Sequence, residues 1–225
     1  MTIIAILRAI AHGRTKLNEI VQDSGVGERN VVSRYVDILR ELKLVEREVP
    51  VTEKRPDRSR RGLYRLTDQY LRFWFRFVHP NRSLIEEGFA DEVVEKRVLP
   101  FMSEFVGPVF ERVAMEYLQR QARQGALDFM PERIGRWWDA DNEMDIVAFS
   151  ETDRRAIFAE CKWTNQPVKD QVLASLQSRA IVLATREGWT VSRYLVFTKS
   201  GVGKELQNRA KREAVSLVSV GELFE

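Results

Sequence analysis

Three residues in the second half of the chain are of types that together handle phosphate esters: Asp145 and, fifteen residues on, Glu160 and Lys162. They fall in Glu143–Phe149 and Arg155–Trp163, two apolar runs that read as strands and are separated by the turn-like Ser150–Asp153. Side chains alternate along a strand. Glu143 and Asp145 are therefore expected on one face, with Met144 and Ile146 on the other. Glu160 and Lys162 are expected to share a face, with Cys161 turned away. If the strands are antiparallel neighbours, Asp145 and Glu160 meet across the ladder. Two carboxylates that close repel unless a cation lies between them. A hard divalent ion with oxygen ligands, Mg2+ or Mn2+, fits there, with the Cys161 carbonyl as a third oxygen. Lys162 would stand beside it, to orient a water or to stabilise charge on a phosphate. The plainer alternative is a pair of solvated carboxylates on an exposed sheet face, and Glu143 reads as supporting rather than ligating.

The elements that must position these residues can be read in order. Glu132–Trp138 is a third strand, set off by Asp139–Asn142. Val168–Glu187 reads as a helix, Val191–Phe197 as a strand, Gly203–Arg212 as a helix and Ala214–Val220 as a strand. Ahead of them, Glu92–Gln124 is mostly helical, with breaks expected near Pro100 and at Gly107-Pro108. The order is α-β-β-β-α-β-α-β.

The first third is different. Residues 2–11, 16–24 and 28–42 read as three helices, the third with an apolar stripe of Val32, Val36, Leu39 and Leu42. Its opposite face carries Arg29, Asn30, Ser33 and Arg34. Two short extended segments follow, 44–51 and 62–67, joined by a loop. From Lys54 to Arg65 there are six basic residues and one acid. Residues 1–70 hold 14 Lys+Arg against 10 Asp+Glu, and residues 71–225 hold 22 against 23, so the positive excess lies in this first third. Three helices and a hairpin with a basic tip is the order of a winged helix-turn-helix. There the third helix enters a DNA groove and the tip meets the backbone. Arg29, Asn30, Ser33 and Arg34, with Lys54, Arg55, Arg58, Arg60 and Arg61, are the candidate DNA contacts. A winged helix used only for protein contacts is the alternative. The aromatic run Tyr70–Phe77 reads as core at helical spacing rather than as a base-stacking stripe. The expected division is 1–70 winged helix, 71–100 aromatic helical connection and 101–225 catalytic-type domain.

The Asp145…Glu160-x-Lys162 pattern on adjacent strands resembles the PD-(D/E)xK nuclease superfamily. That resemblance implies an α+β, restriction-endonuclease-like αβββαβ domain and Mg2+-dependent cleavage of DNA. It also implies a role for Glu111 on the preceding helix, for which an ordinary helix salt bridge is the plainer reading, and a weaker mark at Gln171. The superfamily's proline before the Asp is absent, since Met144 stands there. Over nearly the whole chain, the segments FWFRFVHPNRSLIEEG, GRWWDADNEMDIVAF and FAECKW resemble the region that follows the nucleotide-binding domain in an archaeal and bacterial ATPase family. In that family a winged helix leads into a nuclease-like domain of uncertain function. The resemblance implies a separate ATPase subunit as partner, with this chain either a fragment or a stand-alone relative. The glycine-lysine run SGVGKE at 200–205 lacks the first glycine of a phosphate-binding loop and has Glu205 where Ser or Thr must stand, so ATP hydrolysis is not expected of it. A non-catalytic, DNA-binding regulatory module is the rival reading.

Composition bounds the rest. The chain has 225 residues, 44% apolar and 31% charged, which suits two small globular domains. One cysteine excludes a disulfide framework and a Cys-rich zinc site, and two histidines, His12 and His79, argue against a His-ligated metal. No run approaches the ~20 apolar residues of a membrane span, and a cytoplasmic setting is expected.

Overall fold

The computed structural model describes residues 2–224. The chain divides into two compact units, Met1–Val49 with Glu53–Phe101, and Pro50–Thr52 with Met102–Glu225. Among the described residues no helix is long and apolar enough to cross a membrane.

The first unit opens with helices α1 (Thr2–Ala11), α2 (Leu17–Ser24) and α3 (Arg29–Glu41). Glu19 caps α2, its carboxylate accepting from the Thr15 and Lys16 amides at 3.2 and 3.1 Å. Gly25, at φ 67°, closes it in the left-handed conformation that favours glycine. Ile6, Ile10, Ile20, Val32, Val36 and Leu39 form the core between the three helices. Leu42 does not join it and is 61% exposed. The stripe 32, 36, 39 continues at 43, and the helix has already ended. Lys43 takes φ 57° and the Leu44 amide returns to the Leu39 carbonyl, so Leu44 packs inward in place of Leu42. Strands β1 (Val45–Glu48) and β2 (Leu63–Leu66) then pair antiparallel, from Val45↔Leu66 to Glu48↔Leu63.

A second helical stretch completes this unit: α4 (Gln69–Phe73), α5 (Arg82–Glu86) and α6 (Ala90–Val93). Its winding changes twice for the same reason. Pro80 and Pro100 have no N–H to give the carbonyl four residues back. In each case the preceding turn widens, with His79 donating to the Trp74 carbonyl and Leu99 to the Val94 carbonyl, and tightens to 3-10 geometry at the proline. Buried Asn81 repairs the ladder by donating from its side chain to the Phe77 carbonyl at 2.7 Å, and Arg97 holds its oxygen at 2.6 Å. Residues 71–100, expected as a connection, thus cluster with the first unit. Phe75 and Phe77 are buried, whereas Tyr70 is exposed.

The second unit is α+β. Helix α7 (Met102–Arg123) runs straight through Gly107-Pro108, where a break was expected. A proline removes one amide donor from a helix of 22 residues, too little to end it. Strands β3 (Arg133–Trp138), β4 (Glu143–Ser150) and β5 (Arg155–Lys162) follow, then α8 (Asp170–Glu187), β6 (Thr190–Thr198), α9 (Lys204–Ala210) and β7 (Val215–Ser219). The sheet order is β3-β4-β5-β6-β7, antiparallel up to β5 and parallel beyond it. Parallel neighbours need a crossover, which α8 and α9 provide. Ile146, Ala148, Ile157 and Ala159 face Phe110, Ala114 and Leu118 of α7. Val147, Phe149, Ala156 and Phe158 face Leu176, Ala180 and Leu183 of α8. The register sets large against small across the strands, with Ile146 opposite Ala159, Ala148 opposite Ile157 and Phe149 opposite Ala156. That fills both layers without crowding.

Phe158 is fully buried on the α8 face. Phe158→Ala should cost about 3–5 kcal/mol in urea unfolding, and Phe158→Leu a smaller amount. Equal losses for the two would show that shape in this layer does not matter.

Candidate active site

The centre of the site is a register slip. Gly135 pairs with Val147 and Trp137 with Met144, so the single residue Arg136 of β3 faces two residues of β4, Asp145 and Ile146. One extra residue on one strand is a β-bulge, which bends the strand and re-aims a side chain. Strict alternation would place Met144 and Ile146 on one face. Instead Met144 joins Trp137 in the α8-side core and Ile146 lies in the α7-side core. Asp145 sits at the switch.

On its other edge β4 separates from β5 at the same place. The last ladder pair is Ile146↔Ala159, one step short of Asp145 and Glu160. The Asp145 side chain closes the gap by accepting the Cys161 amide on Oδ2 at 2.8 Å. The amide and carbonyl of a strand residue leave on the same edge, so the Cys161 carbonyl also faces β4. Its thiol lies in the α7-side core, pushed well above the ordinary range by burial and then by Asp145, Glu111 and Glu160. Cys161 thus offers a carbonyl oxygen and no thiolate.

Four acids and three bases gather around the bulge. Glu160 is held on both oxygens, by Lys162 Nζ at 2.6 Å and by Arg179 of α8 at 3.0 Å. Arg179 also donates to the Glu143 carbonyl. Arg136 lies 3.5 Å from Glu111 of α7 and 3.6 Å from the Glu143 carboxylate. Asp145 and Glu160 are 9% and 7% exposed. They are not a solvated pair on an open face. Asp145 is the one acid of the group with no base at ion-pair distance among the described residues. Burial, then the charges of Glu160 and Glu111, raise its pKa from 3.8 to about 7 against the pull of the Cys161 amide and Lys162. For Lys162, burial disfavours the ammonium, but Glu160 and then Asp145 outweigh it and hold the pKa above the ordinary lysine value. Among the described residues no three His, Cys, Asp or Glu side chains converge in metal-ligand geometry. Glu160 and Glu111 are turned to their basic partners.

Arg136 and Arg179 were not expected from sequence. Nothing in the composition of β3 marks Arg136. Arg179 does carry a signal: it lies one turn after Leu176 beside the buried stripe Leu173, Leu176, Ala180 and Leu183. A cation there needs an acid to meet. Gln171 lies exposed in the first turn of the same helix.

The candidate DNA contacts lie in the first unit. Arg29, Asn30 and Arg34 are exposed on α3 and Ser33 is half-buried. Lys54, Arg55, Arg58 and Arg60 are exposed and make no ion pair among the described residues, while Arg61 is paired with Glu53 at 3.1 Å. The loop has a built shape. Arg47 of β1 donates to the Pro56 carbonyl at 2.9 Å and to the Ser59 carbonyl, and Glu53 takes the Ser59 hydroxyl. A Cβ on Gly62 would run into the Arg47 guanidinium in this position, so a larger residue there would require Arg47 to shift.

Residues 74–176 match the model of the DUF234 family, described as archaeal and bacterial proteins of unknown function. The matched span holds Glu111, Asp145, Glu160 and Lys162, and excludes α1–α3, the basic loop and Arg179. An uncharacterized protein of Methanocaldococcus jannaschii is 36% identical over 165 residues, which are 73% of this chain and 36% of that protein. The chain therefore spans about a third of the length of the curated relative it matches. The crystal structure of human N-acetylserotonin methyltransferase in complex with SAM aligns with 96% of this chain and 59% of its own at 13% identity. Its TM-score is 0.23, and at that level the likeness carries no argument.

The raised Asp145 pKa has a direct consequence for stability. Between about pH 4 and the folded value near 7, the folded state holds a proton that the unfolded chain has released. Stability without divalent ions should therefore fall as pH rises through that window and level off above it. Asp145→Asn keeps the acceptor for the Cys161 amide and removes the charge. At pH 8 the variant should exceed wild type by about 1–4 kcal/mol, and at pH 4 the two should match. Parallel urea midpoints at both pH values would contradict the burial argument.

Proposed function

We propose that this chain is a DNA-binding protein whose second unit is a divalent-metal-dependent deoxyribonuclease. The first unit is then a winged helix-turn-helix, and the second a PD-(D/E)xK, restriction-endonuclease-like αβββαβ domain. The observation that carries the reading is Asp145: a buried carboxylate with no base at ion-pair distance among the described residues, set by a bulge beside Glu160, Glu111 and Lys162. A group with one more acid than bases suits a hard cation, and the donors in reach are all oxygens. Asp145, Glu160 and the Cys161 carbonyl would hold Mg2+ or Mn2+. Such an ion supplies Lewis-acid polarisation of the phosphodiester and a more acidic water.

The chain's own side chains do the rest. Lys162, kept charged by Glu160, donates from Nζ to the attacking water or to a non-bridging phosphate oxygen. Water oxygen bonds to phosphorus as the ester P–O bond breaks, the water's proton passing to solvent and the leaving oxygen taking a proton from solvent. Glu111 and Glu143 occupy Arg136, which leaves Asp145 uncompensated and ready for a cation. Arg179 holds the second oxygen of Glu160. In the first unit, Arg29, Asn30, Ser33 and Arg34 present the face of α3 to a groove. Lys54, Arg55, Arg58 and Arg60 meet phosphates, joined by Arg61 once it leaves Glu53.

One observation favours a second reading. Glu160 and Glu111 are already neutralised within the chain, by Lys162, Arg179 and Arg136. A site that is closed in this way suits a non-catalytic, DNA-binding regulatory module working with a separate ATPase subunit.

One experiment separates these readings, and a second tests the DNA contacts they share. Purified protein with single-stranded, duplex and branched DNA should cut at least one of them with Mg2+ or Mn2+ and stop with chelator. Ca2+ should bind without turnover. Asp145→Asn should abolish both metal binding and cleavage, and Lys162→Ala cleavage alone. Equal activity in wild type and Asp145→Asn, or no cleavage and no metal binding, replaces the enzyme by the module. For the basic loop, replacing Lys54, Arg55 and Arg58 by Ala should flatten the salt dependence of duplex binding by about 0.9 per lost contact. An unchanged slope would assign the loop to protein contacts.

A further inference from the structure

Two loops follow the carboxyl ends of the adjacent parallel strands β5 and β6, the end at which open α/β sheets receive ligands. They are zipped together. The Lys199 amide donates to the Lys162 carbonyl at 3.2 Å and the Val168 amide to the Gly201 carbonyl at 3.0 Å, and the Gly203 amide returns to Val168 at 2.9 Å. The Ser200 hydroxyl donates to the Thr164 carbonyl at 2.6 Å. Over residues 162–169 and 198–204 the two segments carry four lysines and no acid. A polyanion repelled by the acids at the bulge meets positive charge here.

Within this patch Trp163 stands directly after Lys162. Its ring packs on Phe110, the neighbour of Glu111, with centroids 5.2 Å apart. The Lys199 ammonium lies 4.9 Å from its ring centroid and donates to Asn165 Oδ1 at 2.6 Å. Lys199 is exposed and has no carboxylate at ion-pair distance among the described residues. Trp163 is half-buried, and its indole N–H has no hydrogen-bond partner among the described residues. A solvent-facing cation resting on an indole, beside the site proposed above to act on phosphate, matches the two components of a nucleotide: a flat base and an anionic linkage.

We infer that Trp163 and Lys199 form a subsite for one unpaired nucleotide of single-stranded DNA, presenting the adjoining phosphate to Lys162. The base stacks on the indole while the Lys199 ammonium moves from the ring to the phosphate. Asn165 releases Lys199 and is free to meet the base edge. This assignment rests on the nuclease reading for its role in catalysis, and the subsite itself is read by binding alone.

The test uses the full chain in chelator with a single-stranded oligonucleotide carrying 5-iodo-2′-deoxyuridine. Ultraviolet cross-linking should join the probe to the peptide containing Trp163. Lys199→Ala should weaken binding roughly tenfold and lower the salt slope by about 0.7, the value for one lost single-strand contact, and Lys199→Arg should restore both. Trp163→Ala loses the packing on Phe110, so Trp163→Phe, which keeps a ring, is made beside it and should retain some of the affinity. Cross-links confined to other peptides, with Lys199→Ala binding as wild type, overturn the subsite. Tighter capture of the matching RNA probe overturns its assignment to DNA. Cross-linking at Trp163 without metal-dependent cleavage would sink the nuclease reading and leave the subsite standing. Cleavage with no cross-link there sinks the subsite alone.

Discussion

A single inserted residue in β4 decides how the second unit is used. Continued regular pairing would set Met144 opposite Cys161, two steps beyond Ile146 and Ala159, and bond the two through their backbones. With the inserted residue, the two strands diverge a step early and the Asp145 carboxylate takes the place of the missing carbonyl at the Cys161 amide. The side chain is then too buried to be solvated and has no base at ion-pair distance among the described residues. Burying that charge costs stability, of which the Cys161 amide and the nearby Lys162 return only a part.

The surrounding charges follow from that arrangement. Arg136, the lone residue opposite the bulge, spans Glu111 and Glu143. Arg179 ties α8 to Glu160 and to the Glu143 carbonyl, the start of the bulged strand. These two guanidinium groups fix the outer acids and hold the strand ends in place. Lys162 is held at the inner carboxylate. The result is a polar group whose inner members, Asp145 and Glu160, are buried between two apolar layers, each with its own helix, while Glu143 stays exposed.

Much of this was legible in the residues. The strand and helix order from Arg133 to Ser219 follows from short apolar runs bounded by turns and from period-3.6 patterns, because both sheet faces are buried and the runs are strongly apolar. Asp145, Glu160 and Lys162 were found from type and spacing. The bulge was not, since an extra residue in an apolar run leaves the composition unchanged and alternation has no mark for a slip. Arg136 and Arg179 were missed because their partners are distant in sequence. The break expected at Gly107-Pro108 assumed that a proline ends a helix, whereas one lost amide donor did not end α7. The exposure of Leu42 turned on a helix end set by Lys43 at positive φ, a residue that carries no glycine signal.

The most direct test is crystallographic. Crystals of the full chain grown at pH 8 are soaked in MnCl2, and anomalous scattering is measured at the manganese edge. The account predicts one strong peak between the Asp145 carboxylate and the Cys161 carbonyl. Glu160 should turn toward the ion, and Asp145→Asn crystals should lack the peak. A map with no peak at the bulge, and with Glu160 still held by Lys162 and Arg179 at saturating manganese, would contradict it.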